Sequence, residues 1–294
     1  MQQVEIKLNA PGFNLYRSVT CGQAFRWQEI EKEMFFGVSK EKATVIKQEK
    51  DNLVLICDKC DKEYWYNYLG LDRDYSQMEK LLAANPKTAP SLEYSKGIRI
   101  FRQDPFETLI SFIISANNNV KRISKTIENI CKKYGTKKSI HDIEYYAFPA
   151  PQALTDAKVE DLKECGVGYR ADYIIESVKK INDGYDLNKL KTMDYHQAHK
   201  ELLTFKGVGP KVAECVLLFS LGFDEAFPVD VWVKRVVGEL FEFGEGEEAA
   251  RQAALSFGKW AGAAQQYLFH YARQVKLGQK AKDKKGKDID SSFS

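Results

Sequence analysis

Between Phe205 and Cys215 the chain reads Phe-Lys-Gly-Val-Gly-Pro-Lys-Val-Ala-Glu-Cys, an order that few backbones accommodate. Gly207 and Gly209 permit a tight hairpin, and Pro210 suits the first turn of a following helix, where its missing N–H would be unpaired anyway. The segment predicts two helices joined by a turn whose amides, at Gly207, Val208 and Gly209, can seat a phosphate. Lys211 falls in the first turn of the second helix, where the positive end of the macrodipole opposes an ammonium and favours the nucleophilic amine. Nineteen positions later Asp230 follows Phe227-Pro228-Val229 and opens a new apolar run at Val231. Taken singly, these features describe a structural turn, a solvated lysine and an N-cap. Together they put a candidate nucleophile, a candidate carboxylate and a candidate phosphate seat within one short stretch of chain.

The rest of the sequence sets the frame. With 294 residues, 44% apolar and 12% aromatic, the chain is long enough for two or three packed subdomains. A net charge of +3 does not by itself argue for nucleic acid; local clusters of cations and open amides carry that signal. Met1 to Ala10 lacks an apolar core, and the most apolar stretch, Val212 to Phe223, is broken by Glu214 and Ser220. The expectation is a soluble, intracellular protein of cytoplasm or nucleoid, a monomer, with no membrane partner. The six cysteines read as reduced thiols, and Cys57-Asp58-Lys59-Cys60 lacks the second pair of a zinc site, so no metal or cofactor is expected.

Periodicity predicts an α+β chain. Apolar and polar residues alternate from Val4 to about Cys57, with turns near Glu31, Lys40 and Asp51, as in a small antiparallel sheet. Tyr64 to Leu82 reads helical, and Asn85 to Pro90 is a connector. Residues 1–90 thus form a sheet domain with a flanking helix, and residues 91–275 an all-helical region in two lobes. Residues 276–294, rich in Lys and Asp, are expected to be a disordered tail. Asp104-Pro105-Phe106-Glu107 is a helix start with a capping-box acid. The apolar face through Leu109, Ile113, Val120, Ile123, Ile127 and Ile130 is interrupted at Asn117, where a buried helix must break and restart on an asparagine cap. Further helices are expected over 159–163, 171–180, 195–203, 210–221, 231–240, 247–257 and 262–275.

With these segments in hand, the chain resembles the helix-hairpin-helix DNA glycosylases, and within them the 8-oxoguanine DNA glycosylases that carry a hairpin lysine. Cys21-Gly22-Gln23-Ala24-Phe25-Arg26-Trp27 is similar to the family segment that faces the damaged base. Asn117-Asn118-Asn119-Val120-Lys121-Arg122 resembles the segment entering the duplex, Gly166-Val167-Gly168-Tyr169-Arg170-Ala171 the family's Gly-x-Gly-Tyr-Arg turn, and Ala264-Gln265-Gln266-Tyr267-Leu268-Phe269 the helix that walls the pocket.

The resemblance implies an enzyme that extrudes an oxidised purine from double-stranded DNA, its expected partner. Lys211 would attack the sugar, leaving a Schiff base that permits β-elimination, and Asp230 would stabilise the developing positive charge. Cys215 and Phe269 would sandwich the base, Gln265 would meet its edge, and a backbone carbonyl at Gly22 would accept from N7–H, which guanine lacks. Asn117 and Tyr169 would fill the gap in the stack, while Arg122 and Arg170 would reach an orphaned cytosine. Their plainer reading is phosphate contact or surface. One departure stands out: many relatives have a histidine at the position of Trp232, where it meets a phosphate. Nothing after Cys215 supplies the four-cysteine cluster of the iron–sulfur relatives. Two alternatives remain: an alkyl-purine DNA glycosylase, which usually lacks the hairpin lysine, and a non-catalytic DNA-binding protein.

Overall fold

The computed structural model describes residues 3–58, 61–241, 243–244 and 246–277; Cys60 and the tail from 278 onward lie outside them. Five antiparallel strands form a sheet in the order β1-β5-β4-β3-β2: β1 (Gln3–Asn9), β2 (Trp27–Glu31), β3 (Met34–Ser39), β4 (Lys42–Glu49) and β5 (Asn52–Asp58). The expected turns are two-residue loops, set by the pairings Glu31↔Met34, Ser39↔Lys42 and Glu49↔Asn52. Such loops need a positive φ, here taken by Glu33, Lys40 and Lys50. The sheet packs Leu8, Phe35, Ile46, Leu53 and Leu55 against Trp65, Tyr68 and Leu69 from the following helix. Strand β2 begins at Trp27, which lies over Gly37 of β3, while Phe25 turns away to pack edge-on against Phe112.

The stretch expected as one helix over 64–82 is two, Lys62–Tyr68 and Ser76–Ala84. Helix Pro105–Ser115 is buried on every side but its last turn, and its Asp104 cap accepts from the N–H groups of Phe106 and Glu107 at 3.0 Å each. The capping box does not close. Glu107 instead accepts from the Lys40 N–H at 2.6 Å and pairs with Arg26 at 3.6 Å, fastening the helix to the sheet. The chain breaks after Ser115 as expected and restarts at Val120–Tyr134 on the Asn119 cap, although Val120 itself is exposed.

A short hairpin interrupts the region expected to be all-helical: β6 (Lys137–Ile140) and β7 (Ile143–Tyr146), with His141 and Asp142 both at positive φ. It leans on the N-terminal sheet, with Ile140 in that core and Tyr145 against Phe36. The remaining helices fall where periodicity put them, among them Ala171–Asn182, Tyr195–Leu202, Pro210–Val216, Val231–Leu240, Glu247–Phe257 and Ala261–Gln274. The hairpin helix runs on through a π turn at Leu217–Leu221. Among the described residues, no helix is long and apolar enough to cross a membrane. Cys21 and Phe25, which lie between the first helix and strand β2, belong to the helical core, so this segment is packed against the helical lobe.

Candidate active site

The hairpin forms between helices Tyr195–Leu202 and Pro210–Val216. Gly207 takes φ +80°, and a Cβ there would lie 2.3 Å from Cδ2 of Tyr173, so both conformation and space exclude a side chain. Gly207→Ala is therefore expected to lower stability by about 1–3 kcal/mol, read as a fall in the denaturation midpoint, with weaker binding to any duplex. Around Gly209 a Cβ would meet nothing within 4 Å. The Val208 N–H donates within the turn to Phe205 O at 3.1 Å, so of the three amides from Gly207 to Gly209 those of the two glycines have no partner among the described residues.

Lys211 is half-buried, its Nζ 5.1 Å from the centre of the Phe112 ring. One turn on, Cys215 is buried. Burial pushes its thiol up to about 11; the neighbouring Lys211 ammonium opposes that rise and the Asp230 carboxylate adds to it. The thiol is thus neutral near pH 7, a polarisable apolar surface and not a competing nucleophile. Lysine, cysteine and aspartate share one locus. Asp230 caps helix Val231–Leu240 through Oδ1 alone, which accepts from the N–H groups of Trp232 at 2.9 Å and Val233 at 2.8 Å, leaving Oδ2 outside the cap.

Sequence reasoning missed what ties the aspartate to the lysine. Glu214, buried on the hairpin helix, accepts from the Phe227 N–H at 2.7 Å and from the Tyr195 hydroxyl, with His199 Nε2 at 3.3 Å. This carboxylate joins both hairpin helices to the Phe227–Asp230 strip. Tyr195 is held well above the ordinary phenol range by burial and by Glu214. Gln265 fixes the same strip from the C-terminal helix, donating through Nε2 to Pro228 O at 3.1 Å. Its Oε1 is buried without a partner among the described residues, a condition that costs roughly 1–3 kcal/mol unless a donor arrives.

Gly22 and Phe269 face each other. Gly22 has φ +92°, and a Cβ on it would stand 3.8 Å from Cε1 of Phe269. Cys21 holds the segment in place, accepting from Gln266 Nε2 at 3.5 Å and donating to Ser18 O at 3.3 Å. Burial raises that thiol also, to about 11.

The second cluster sits at the broken helix. Asn117 is exposed at φ +51°, and Tyr169 is 55% exposed, edge-on to Tyr173. Arg170 stacks on Tyr169 with 4.4 Å from Cζ to the ring centre, and donates to Val167 O at 3.2 Å, to Asn117 O at 3.4 Å and to Ala116 O. Those bonds join the Gly-x-Gly-Tyr-Arg turn to the asparagine loop. Arg170 is only 4% exposed, whereas Arg122, in the first turn of the helix that restarts at Val120, is exposed. Trp232 is half-buried and carries Arg235 over its ring at 5.2 Å.

Residues 5–109 match the family model of the 8-oxoguanine DNA glycosylase N-terminal domain, and residues 110–260 that of the HhH-GPD superfamily base excision DNA repair protein. A probable N-glycosylase/DNA lyase of Methanothermobacter thermautotrophicus is 37% identical over 212 residues, 64% of this chain and 67% of that protein. Two solved structures are similar over nearly the whole fold. MBOgg1, in complex with a low-affinity DNA ligand, is 36% identical with a TM-score of 0.89, over 94% of this chain and 100% of that one. The 8-oxoguanine glycosylase/lyase of Clostridium acetobutylicum, in complex with double-stranded DNA containing cytosine opposite 8-oxoguanine, is 36% identical with a TM-score of 0.87, over 93% and 99%.

Proposed function

The chain belongs to the HhH-GPD superfamily of base excision DNA repair proteins, in its 8-oxoguanine DNA glycosylase branch, and on that premise we propose how its residues release an oxidised base. It is a DNA glycosylase with apurinic-site lyase activity. The flipped 8-oxopurine enters between Cys215 and Phe269, with Gln265 at its edge and the Gly22 carbonyl accepting from N7–H. The Lys211 amine attacks C1′ of the sugar; the Nζ–C1′ bond forms as the bond to N9 breaks, and the electron pair leaves with the base. Asp230 stabilises positive charge on the sugar through the oxygen that takes no part in the cap. Loss of the ring oxygen's bond to C1′ then gives an imine, which acidifies C2′ and expels the 3′ phosphate.

The observation that carries this reading is the shared locus of Lys211, Cys215 and Asp230, with the unmatched Gln265 Oε1 beside it. A panel of duplexes with defined lesions, incubated with borohydride, tests it: a covalent adduct on 8-oxoguanine is expected, and binding without an adduct would favour a non-catalytic DNA-binding role.

On the other strand, Asn117 and Tyr169 fill the gap and the arginines meet the orphaned base. Exposed Arg122 reaches it directly, while Arg170 would have to release the carbonyls it now holds. Arg122→Ala is expected to slow excision opposite cytosine more than opposite adenine, narrowing the ratio by on the order of 1–3 kcal/mol. An equal loss opposite both bases would make Arg122 a phosphate contact.

A further inference from the structure

Arg273 lies on the last turn of the C-terminal helix, four residues after Phe269 and so on the same helical face. Its Cζ is 5.5 Å from the centre of the Phe269 ring. Its Nη1 is 3.5 Å from the point that a Cβ on Gly22 would occupy. The guanidinium therefore lies at the edge of the place where Gly22 and Phe269 face each other. It makes no ion pair and no hydrogen bond among the described residues. Arg17, packed near the same helix, is different: it donates to Lys96 O at 2.9 Å and Glu93 O at 3.0 Å and has a structural occupation. Lys211 is likewise engaged, with Cys215 and the Phe112 ring. Arg273 is an exposed cation set against an aromatic ring, with Nη1 beside Gly22.

Oxidation at C8 changes a purine in two ways. It places a hydrogen on N7, and it adds a carbonyl oxygen. The Gly22 carbonyl answers only the first change. An acceptor at C8 calls for a donor, and a guanidinium supplies several in one plane. Facing unmodified guanine, the same donors would meet C8–H, an apolar group that offers them nothing, and would lose part of their hydration without replacement.

We propose that Arg273 is a specificity-determining residue that donates to the C8 oxygen of the flipped base, so that Arg273 and the Gly22 carbonyl together read both marks of oxidation. This rests on the reading of Cys215, Phe269 and the Gly22 carbonyl as the base pocket. The ligand class follows: purines bearing a carbonyl oxygen at C8.

The test compares wild type, Arg273→Met and Arg273→Lys. Equilibrium affinity is measured at one salt concentration for non-cleavable 2′-fluoro duplexes carrying either 8-oxoguanine or guanine opposite cytosine. Strand nicking of a preformed abasic duplex reports the machinery without a base. Arg273→Met is expected to reduce the preference for 8-oxoguanine about tenfold, the value of one charge-assisted hydrogen bond, with nicking unchanged; Arg273→Lys is expected to restore part of the preference. Equal weakening on both duplexes would overturn the proposal in favour of a backbone phosphate contact. Unchanged affinity, or a gain, would overturn it too, the gain marking Arg273 as an obstruction. A wild type that shows no preference for 8-oxoguanine would instead overturn the reading of the pocket, and this inference with it.

Discussion

Lys211→Gln is expected to abolish base release and borohydride trapping together while leaving duplex binding intact. The amide has no lone pair able to attack C1′, and no other lysine in the described core stands beside Cys215. Binding should persist because the amides of Gly207 and Gly209 and the exposed loop at Asn117 are untouched. Stability should change by about 1 kcal/mol or less, since Lys211 is half-buried and glutamine keeps most of its stem against Phe112. Single-turnover excision, adduct formation and a melting curve on one preparation separate the possibilities. Trapping that survives would assign the nucleophile elsewhere. Base release that survives without trapping would mean that Asp230 activates water and that Lys211 serves the lyase step alone.

The parts of this site that were legible in the sequence are those encoded locally. An aspartate before a helix, a proline in its first turn and a glycine at positive φ act within a few residues, so Asp104, Asp230 and the Gly207–Pro210 hairpin are found from spacing alone. The asparagine break is legible for the same reason, because Asn119 caps the helix it starts.

What escaped notice depends on partners far along the chain. Glu107 has a capping-box position, yet its carboxylate goes to Lys40, 67 residues away, because a buried acid gains more from a backbone donor and Arg26 than from a cap that Asp104 already makes. Glu214 looks like an ordinary helical acid until folding brings Tyr195, His199 and the Phe227 amide to it. The β6–β7 hairpin has four-residue strands and turns on His141 and Asp142 without glycine, too short a pattern to outweigh the helices on either side. Arg170 is the clearest case. Its motif suggests an outward-facing guanidinium, but the carbonyls of Ala116, Asn117 and Val167 draw it in, and only the fold brings those carbonyls together.

Asp230 poses the sharpest question, because a cap and a proposed catalyst occupy one side chain. The cap uses Oδ1, accepting from Trp232 and Val233, and asparagine can make the same two bonds through its amide oxygen. Asp230→Asn should therefore melt near wild type, with a change of well under about 1 kcal/mol. The charge on the second oxygen is lost, and with it the stabilisation of a cationic sugar, a contribution of typically a few kcal/mol. Excision of 8-oxoguanine is accordingly expected to slow on the order of a hundredfold. Asp230→Ala separates the two roles from the other side: it removes the cap as well and should cost an additional ~1 kcal/mol of stability without slowing excision much beyond the asparagine variant. If Asp230→Asn stays within a few-fold of wild type, Asp230 is a cap only. Glu214, whose carboxylate already has the Phe227 amide and the Tyr195 hydroxyl as partners, would then be the nearest acid to examine.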